Sequence, residues 1–297
     1  MTTEFHGIIG YTITPFSNDG EQLDLPALGQ SIERLIASGV HAIAPLGSTG
    51  EGAYLSDTEW QQVAEYSLAQ IGKRLPSIVS VSDLTTAGAI RRARFAQAHG
   101  ADAVMVLPSA YWKLSATEIL QHYRAIGAAV DLPIMLYNNP ATSGTDMPVE
   151  LILRIVREVE NVTMVKESTG DIQRMHQLQL RGEGQVPFYN GCNPLALEAF
   201  VAGATGWCTA APNLIPALNL GLYQAIRAGE LEQAKALFYQ QLPVLDFILK
   251  GGLPATIKAG LALTGLAVGE PRRPVFGLDE QGRATLRGML DELGVAL

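Results

Sequence analysis

The chain has 297 residues, 47% of them hydrophobic and 17% charged, the composition of a globular protein with a large core. Its formal net charge of −8 argues against nucleic acid and anionic membrane surfaces as partners. The N-terminal MTTEFHGIIG has no basic segment leading into an apolar one, so no secretory signal is expected and the expected location is cytoplasmic.

Short apolar runs begin at GIIGYTITPF, from residue 7. They recur as HAIAPLG from 41, PSIVSVSD from 76, AVMVLP from 103, PIMLYNN from 133, VTMVKES from 162, VPFYNGC from 186 and TGWCTA from 205. Nearly unbroken apolar strands suit a parallel sheet covered on both faces. Helical patterns lie between them. In DLPALGQSIERLIASG, Leu28, Ile32, Leu35 and Ile36 fall on one face. In SDTEW, Ser56 with Glu59 three residues on is a capping-box signal ahead of Trp60, Val63 and Ala64. The helix-to-strand junction repeats: ASGVHAIAPL, AHGADAVMVL and VAGATGWCTA place Gly39, Gly100 and Gly203 where a left-handed residue closes a helix. The uncharged stretch 199–226 is interrupted by Gly203, Gly206, Pro212, Asn213, Pro216 and Asn219, and reads as helix end, strand, loop and helix, not as a membrane span. Cys192 and Cys208, with no C-x-x-C, read as small buried hydrophobes.

Eight strand candidates alternating with helices predict an α/β fold of the (β/α)8 TIM-barrel type, with an open doubly wound sheet as the alternative. After residue 228 the strand signals stop. GELEQAKALFYQQLPVLDFILK, LPATIKAGLALTG and DEQGRATLRGMLDEL read as three helices. The expected organisation is a barrel over residues 1–228 and a C-terminal helical extension, residues 229–297, packed on it.

Such a barrel carries its active site at the C-terminal strand ends, where this sequence has GSTGE (47–51), YNNP (137–140) and KES (166–168). Alternation puts Val162, Met164 and Lys166 on one face, and an ammonium above an apolar floor is costly unless paired or neutralised. A neutral amine there attacks carbonyls, and a Schiff base is its usual use. The bland reading is a lysine that reaches solvent or pairs with Glu51 or Glu167. GSTGE offers the hydroxyls of Ser48 and Thr49 and backbone N–H groups suited to an anion, or merely a turn made by Gly47 and Gly50. It is neither a P-loop nor a dinucleotide fingerprint. Tyr137 fits a core aromatic with its hydroxyl at the rim, and Asn138, Asn139 and Pro140 fit turn formers. His6, His41, His99, His122 and His176 are scattered without metal-ligand spacing, so no metal is expected.

In this order and near this spacing, TPF (14–16), GSTGE, YWK (111–113), YNNP, KES and the P-x-x-x-K helix near the end resemble the dihydrodipicolinate synthase / N-acetylneuraminate lyase superfamily along almost the whole chain. The resemblance implies a class I lyase: a homotetrameric TIM barrel (a dimer of dimers) with no metal or cofactor beyond a covalent lysine Schiff base. It makes Lys166 the Schiff-base lysine and Tyr137 the catalytic tyrosine. Ser48 and Thr49 would hold the substrate carboxylate and relay protons, Tyr111 would reach a neighbouring subunit's site, and Gly191 and Cys208 would line the pocket. The implied substrate is pyruvate or another 2-oxo acid, whose C2 carbonyl takes the amine. The enamine formed from it would lead to aldol addition, retro-aldol cleavage or dehydration.

True dihydrodipicolinate synthases usually carry an arginine two residues after the strand 5 proline, to hold a second carboxylate. Thr142 stands there, among the expected substrate-binding residues, and a hydroxyl does not replace a bidentate guanidinium. With Trp112 and Lys113 after Tyr111, this favours a catabolic aldolase or dehydratase/deaminase over the 4-hydroxy-tetrahydrodipicolinate synthase of lysine biosynthesis, although Lys113 or an arginine from elsewhere would also serve a second carboxylate. A rival of another class is a non-catalytic 2-oxo-acid binding protein on the same barrel.

Overall fold

The computed structural model describes residues 4–17 and 20–297. The first elements are β1 (Gly7–Tyr11), α1 (Leu25–Ser38), β2 (Ala42–Ala44) and α2 (Asp57–Ile71). β1 and β2 pair in parallel, with Ile9 opposite Ala42 and Tyr11 opposite Ala44. Asp24 caps α1 by accepting from Ala27 N, and Gly39 closes it at a φ of 88°. α2 opens on the expected capping box: Ser56 Oγ accepts from Glu59 N while Glu59 Oε2 accepts from Ser56 N. These contacts satisfy backbone groups that a helix end leaves orphaned.

Next come β3 (Ile78–Ser80), α3 (Thr86–Ala98), β4 (Ala103–Val106), α4 (Ala116–Gly127), β5 (Ile134–Asn138), α5 (Pro140–Ser143), α6 (Val149–Glu158), β6 (Val162–Glu167), α7 (Ile172–Arg181), β7 (Phe188–Asn190), α8 (Ala196–Val201) and β8 (Gly206–Thr209). Each strand from β3 to β8 pairs in parallel with the next. The chain ends in α9 (Pro216–Ala228), α10 (Leu231–Lys250), α11 (Leu253–Leu263) and α12 (Glu280–Glu292). The strands belong to one eight-stranded sheet. The fold is a (β/α)8 barrel with additional C-terminal helices, as the strand and helix alternation predicts.

Two compact units are distinguished. One consists of Pro76–Cys208 with the segment ending at His6, the other of Gly7–Leu75 with Thr209–Leu297. In both, the strands are buried throughout, with Ile8, Ile9, Val79, Val104, Leu136 and Val165 fully enclosed. The exposed exception is Thr163. Register slips there: Ile134 pairs with Val162, but Met135 pairs with Met164. Thr163 is thus an extra residue, a β-bulge that re-aims the end of the strand. Within the second unit, α9 and α10 are joined by a buried hydrogen bond of 2.7 Å from Asn219 Nδ2 to Gln241 Oε1. Among the described residues no helix is long and apolar enough to cross a membrane, and the stretch 199–226 divides among α8, β8 and α9.

Candidate active site

Beyond the bulge, Tyr137 of β5 lies opposite Lys166 of β6, and Asn138 opposite Glu167. Register-paired residues of parallel strands project to the same face and successive residues to opposite faces. The lysine and tyrosine therefore share one face, and Glu167 and Asn138 the other. Lys166 Nζ lies 3.9 Å from the centroid of the Tyr137 ring, and the two residues are 5% and 4% exposed. Asn139 Nδ2 donates to Tyr137 Oη at 2.8 Å. A Cβ on Gly191 would come within 2.7 Å of Lys166 Cε and 1.7 Å of Ser168 Oγ, so the backbone after β7 runs against the lysine stem. A glycine is what lets it approach so closely.

The opposite face holds a buried charge network. Glu167 Oε2 accepts from Asn138 Nδ2 and from Arg174 Nε, each at 3.1 Å, and Oε1 accepts from Thr169 N at 2.8 Å. Asn138 Oδ1 in turn accepts from Met147 N at 3.1 Å. Glu167 O accepts from Gly191 N at 2.8 Å, and Asn138 O from Ser168 N at 3.0 Å. A carboxylate so fully hydrogen-bonded and paired with a guanidinium is tolerable in a core. It ties together the ends of β5, β6 and β7, where Tyr137, Lys166 and Gly191 sit.

In the second unit, GSTGE forms the turn after β2, with Thr49 buried and Ser48 half-buried. Leu46 (φ 65°) and Glu51 (φ 54°) flank the hydroxyl pair in the left-handed region. Gly50 serves a close approach instead: a Cβ there would lie 3.0 Å from Leu46 N, and its carbonyl accepts from Thr14 Oγ1 at 2.6 Å. Left-handed non-glycine residues cost on the order of 1–3 kcal/mol each and persist only where surroundings hold them. Here the hold is visible. Glu51 Oε1 lies 2.6 Å from Lys258 Nζ, and Oε2 accepts from Arg272 N at 2.7 Å. Lys258 Nζ also donates to Glu270 O at 3.1 Å and lies 4.2 Å over the Phe16 ring. Burial pushes the Glu51 carboxyl up and the Lys258 ammonium down, and their mutual attraction opposes both shifts. The short contact and the second hydrogen bond on each partner favour the charged pair.

Tyr111 and Trp112, in the loop before α4, are 89% and 79% exposed and meet edge-to-face with centroids 5.7 Å apart. Thr142 is exposed on α5, its N–H bonded to Asn139 O at 3.1 Å. Cys208 is buried near the end of β8. Lys166, Tyr137 and Gly191 are thus brought together in one unit. Ser48 and Thr49 stand at a strand end of the other, and Tyr111 and Thr142 face solvent. Among the described residues no group of three or more His, Cys, Asp or Glu side chains is arranged to hold a metal ion.

Sequence reasoning gave no site role to Asn139, Glu167 or Arg174 in the first unit, and in the second it marked Lys258 only as the lysine of the P-x-x-x-K helix, without its partner Glu51. For Glu167 a signal existed: a carboxylate next to the lysine, on the alternate face of an apolar strand, calls for a cation from the covering helix, and Arg174 lies in the first turn of α7. For Lys258 the signal was an ammonium inside the apolar helix LPATIKAGLAL.

A (β/α)8 barrel with a buried lysine and tyrosine side by side at adjoining strand ends is the framework of a class I lyase. The sequence matches the Dihydrodipicolinate synthetase family over residues 4–293, and the chain belongs to that family. It is 32% identical, over 96% of its length and 98% of the relative's, to the 4-hydroxy-tetrahydrodipicolinate synthase of Methanoculleus marisnigri. It superposes with a TM-score of 0.96 on a candidate dihydrodipicolinate synthetase of Pseudomonas aeruginosa, with 70% identity, covering 98% of this chain and 100% of that one. It is also similar, at 26% identity and a TM-score of 0.93, to YagE, an Escherichia coli prophage protein of the same family solved with pyruvate, covering 99% of this chain and 100% of that one. The protein is accordingly an enzyme, a lyase of class I.

Proposed function

We propose that this lyase acts on pyruvate or a related 2-oxo acid through a Schiff base on Lys166. The observation that carries the proposal is the Lys166 amine 3.9 Å over the Tyr137 ring, both side chains buried at strand ends. The pyruvate complex of YagE supports the substrate class. The family resemblance implies that Ser48 and Thr49 hold the substrate carboxylate. The amine of Lys166 adds to C2, giving a carbinolamine. Tyr137 gives its phenolic proton to the carbinolamine hydroxyl, which leaves as water, so that an iminium and a phenolate remain. The phenolate takes a proton from C3, which restores the phenol and yields the enamine. Enamine carbon C3 then attacks an aldehyde, or the reverse reaction releases one, and hydrolysis frees the lysine. The iminium is the electron sink, so the cycle needs no metal or other cofactor. Gly191 and Cys208 line the pocket.

The physiological reaction we propose is catabolic: aldol cleavage or dehydration of a 2-oxo acid. Thr142 supports it, because its exposed hydroxyl stands where the family resemblance implies a guanidinium for a second carboxylate. A second reading, 4-hydroxy-tetrahydrodipicolinate synthase, is favoured by relatives of that name. A screen of hydroxylated 2-oxo acids, and of pyruvate with carboxylate-bearing or neutral aldehydes, read by mass spectrometry, separates them. Cleavage or dehydration of a hydroxylated 2-oxo acid supports the first reading. Efficient condensation with only the carboxylate-bearing aldehyde selects the second. Thr142→Arg should shift preference towards that aldehyde.

The assembly we propose is a homotetramer, a dimer of dimers, in which Tyr111 reaches a neighbour's site. The exposure of Tyr111 and Trp112 in a single chain supports it. A fully active monomer in light scattering at low concentration contradicts it.

A further inference from the structure

We infer that Asn139 is a positioning residue for Tyr137: its side-chain amide fixes the phenol so that the O–H points to the substrate, and it braces the phenolate left when that proton is given up. The inference rests on the Schiff-base reading above and deepens it.

The contact is direct, Asn139 Nδ2 to Tyr137 Oη at 2.8 Å, on a tyrosine 4% exposed, where water competes poorly for the oxygen. A phenol has one proton to donate and lone pairs with which to accept. With one lone pair occupied by the amide N–H, the phenolic proton turns away from Asn139. The reverse amide orientation would have Tyr137 donate to Oδ1 and would tie up the proton that the shuttle must deliver, so proton transfer selects the orientation with Nδ2 on the phenol. Lys166 Nζ lies 3.9 Å over the same ring, and the substrate carbon bonded to that nitrogen is one bond further.

Asn139 is itself held in place. Its carbonyl accepts from Thr142 N at 3.1 Å, Ser143 N at 3.0 Å and Ser143 Oγ at 3.0 Å, so α5 anchors the residue from behind. A side chain placed by a fixed backbone spends little time in competing orientations. Its effect on the reaction is selective. A hydrogen bond to an oxyanion is roughly twice as strong as one to a neutral oxygen, so the amide holds the phenolate, and the transition states leading to and from it, more strongly than the resting phenol. Interactions that strengthen towards the transition state accelerate a step. Asn139 gains and loses no proton in the cycle.

The test is a double-mutant cycle on the exchange of pyruvate C3 protons with deuterated water, which reads enamine formation. Asn139→Leu should slow exchange about tenfold with the pyruvate KM within about twofold, the signature of an interaction made in the transition state. Asn139→Asp, nearly isosteric, puts an acceptor where the amide donates and captures the phenolic proton; it should slow exchange about a hundredfold at neutral pH, and it keeps the test open if the leucine variant does not fold. In a Tyr137→Phe background neither substitution should cost more than about twofold, because the partner atom is gone. Losses that simply add in that background, or an Asn139→Asp enzyme as fast as Asn139→Leu, overturn the inference while leaving the Schiff-base reading standing. If the unaltered enzyme yields no borohydride-trapped pyruvate adduct, the reading falls and the inference with it.

Discussion

Lys258 and Lys166 are almost equally hidden, 2% and 5% exposed, in surroundings that differ in kind. Lys258 is held by the Glu51 carboxylate at 2.6 Å and the Glu270 carbonyl at 3.1 Å. Beside Lys166 in the chain stands Glu167, yet that carboxylate is on the other face of β6 and is matched by Arg174. Lys166 instead overlies a phenol ring, next to a glycine that leaves its stem room. A lysine clamped between a carboxylate and a carbonyl belongs to the fold, and here it secures the turn that bears Ser48 and Thr49. A lysine over a hydrogen-bonded phenol at a strand end is the one proposed above to carry the Schiff base. Burial alone does not tell the two apart; the partners do.

The same substitution should therefore have opposite outcomes at the two sites. Lys166→Met should remove turnover to the detection limit while stability stays within about 1 kcal/mol, since the neighbouring Glu167 takes its cation from Arg174. Lys258→Met leaves Glu51 buried without its cation and should cost about 3–5 kcal/mol in denaturant unfolding. A Lys258→Met protein as stable as the unaltered one would break the comparison. Tyr137→Phe should reduce kcat about a hundredfold by removing the proton shuttle, and near-normal turnover would take Tyr137 out of it. Gly191→Ala sharpens the contrast. Its new methyl would lie 1.7 Å from Ser168 Oγ, 2.7 Å from Lys166 Cε and 3.0 Å from Ser168 Cβ, so both side chains must shift and adduct formation should slow about tenfold from a displaced amine.

The smallest effect lies away from the site, at His122 of α4. It is buried, with Nδ1 and Thr86 Oγ1 2.9 Å apart, and burial pushes its pKa down, with Asp83 opposing. Below a pH of about 6.5 the unfolded chain takes up a proton that the native imidazole resists. Stability contributed here is present above that value and is lost as the pH falls. His122→Gln should flatten the drop in unfolding free energy between pH 7 and pH 5; an unchanged drop would show that other groups dominate.

The fold was legible because its signals are local. Apolar runs, the glycines at 39, 100 and 203 and the Ser56–Glu59 box act within a few residues, and each falls where expected. Lys166 was legible as an ammonium ending an apolar strand. Which residue of β5 it faces was not, because the bulge at Thr163 shifts the register by one and no count along the chain reveals it. Leu46 and Glu51 in left-handed conformations were hidden for a different reason: neither residue type advertises that geometry, and tertiary partners impose it on Glu51. Asn139 was hidden by ambiguity. An asparagine at a strand end is an ordinary turn former, and only the position of the tyrosine hydroxyl distinguishes a turn residue from a brace.

The central claim is that the Lys166 amine forms the covalent bond to substrate. It is tested most directly by treating the enzyme with pyruvate and borohydride, digesting it and locating the added mass. One reduced pyruvate is expected on the peptide bearing Lys166, and none in Lys166→Met. No adduct, or an adduct on another lysine such as Lys113 or Lys258 in its place, would contradict it.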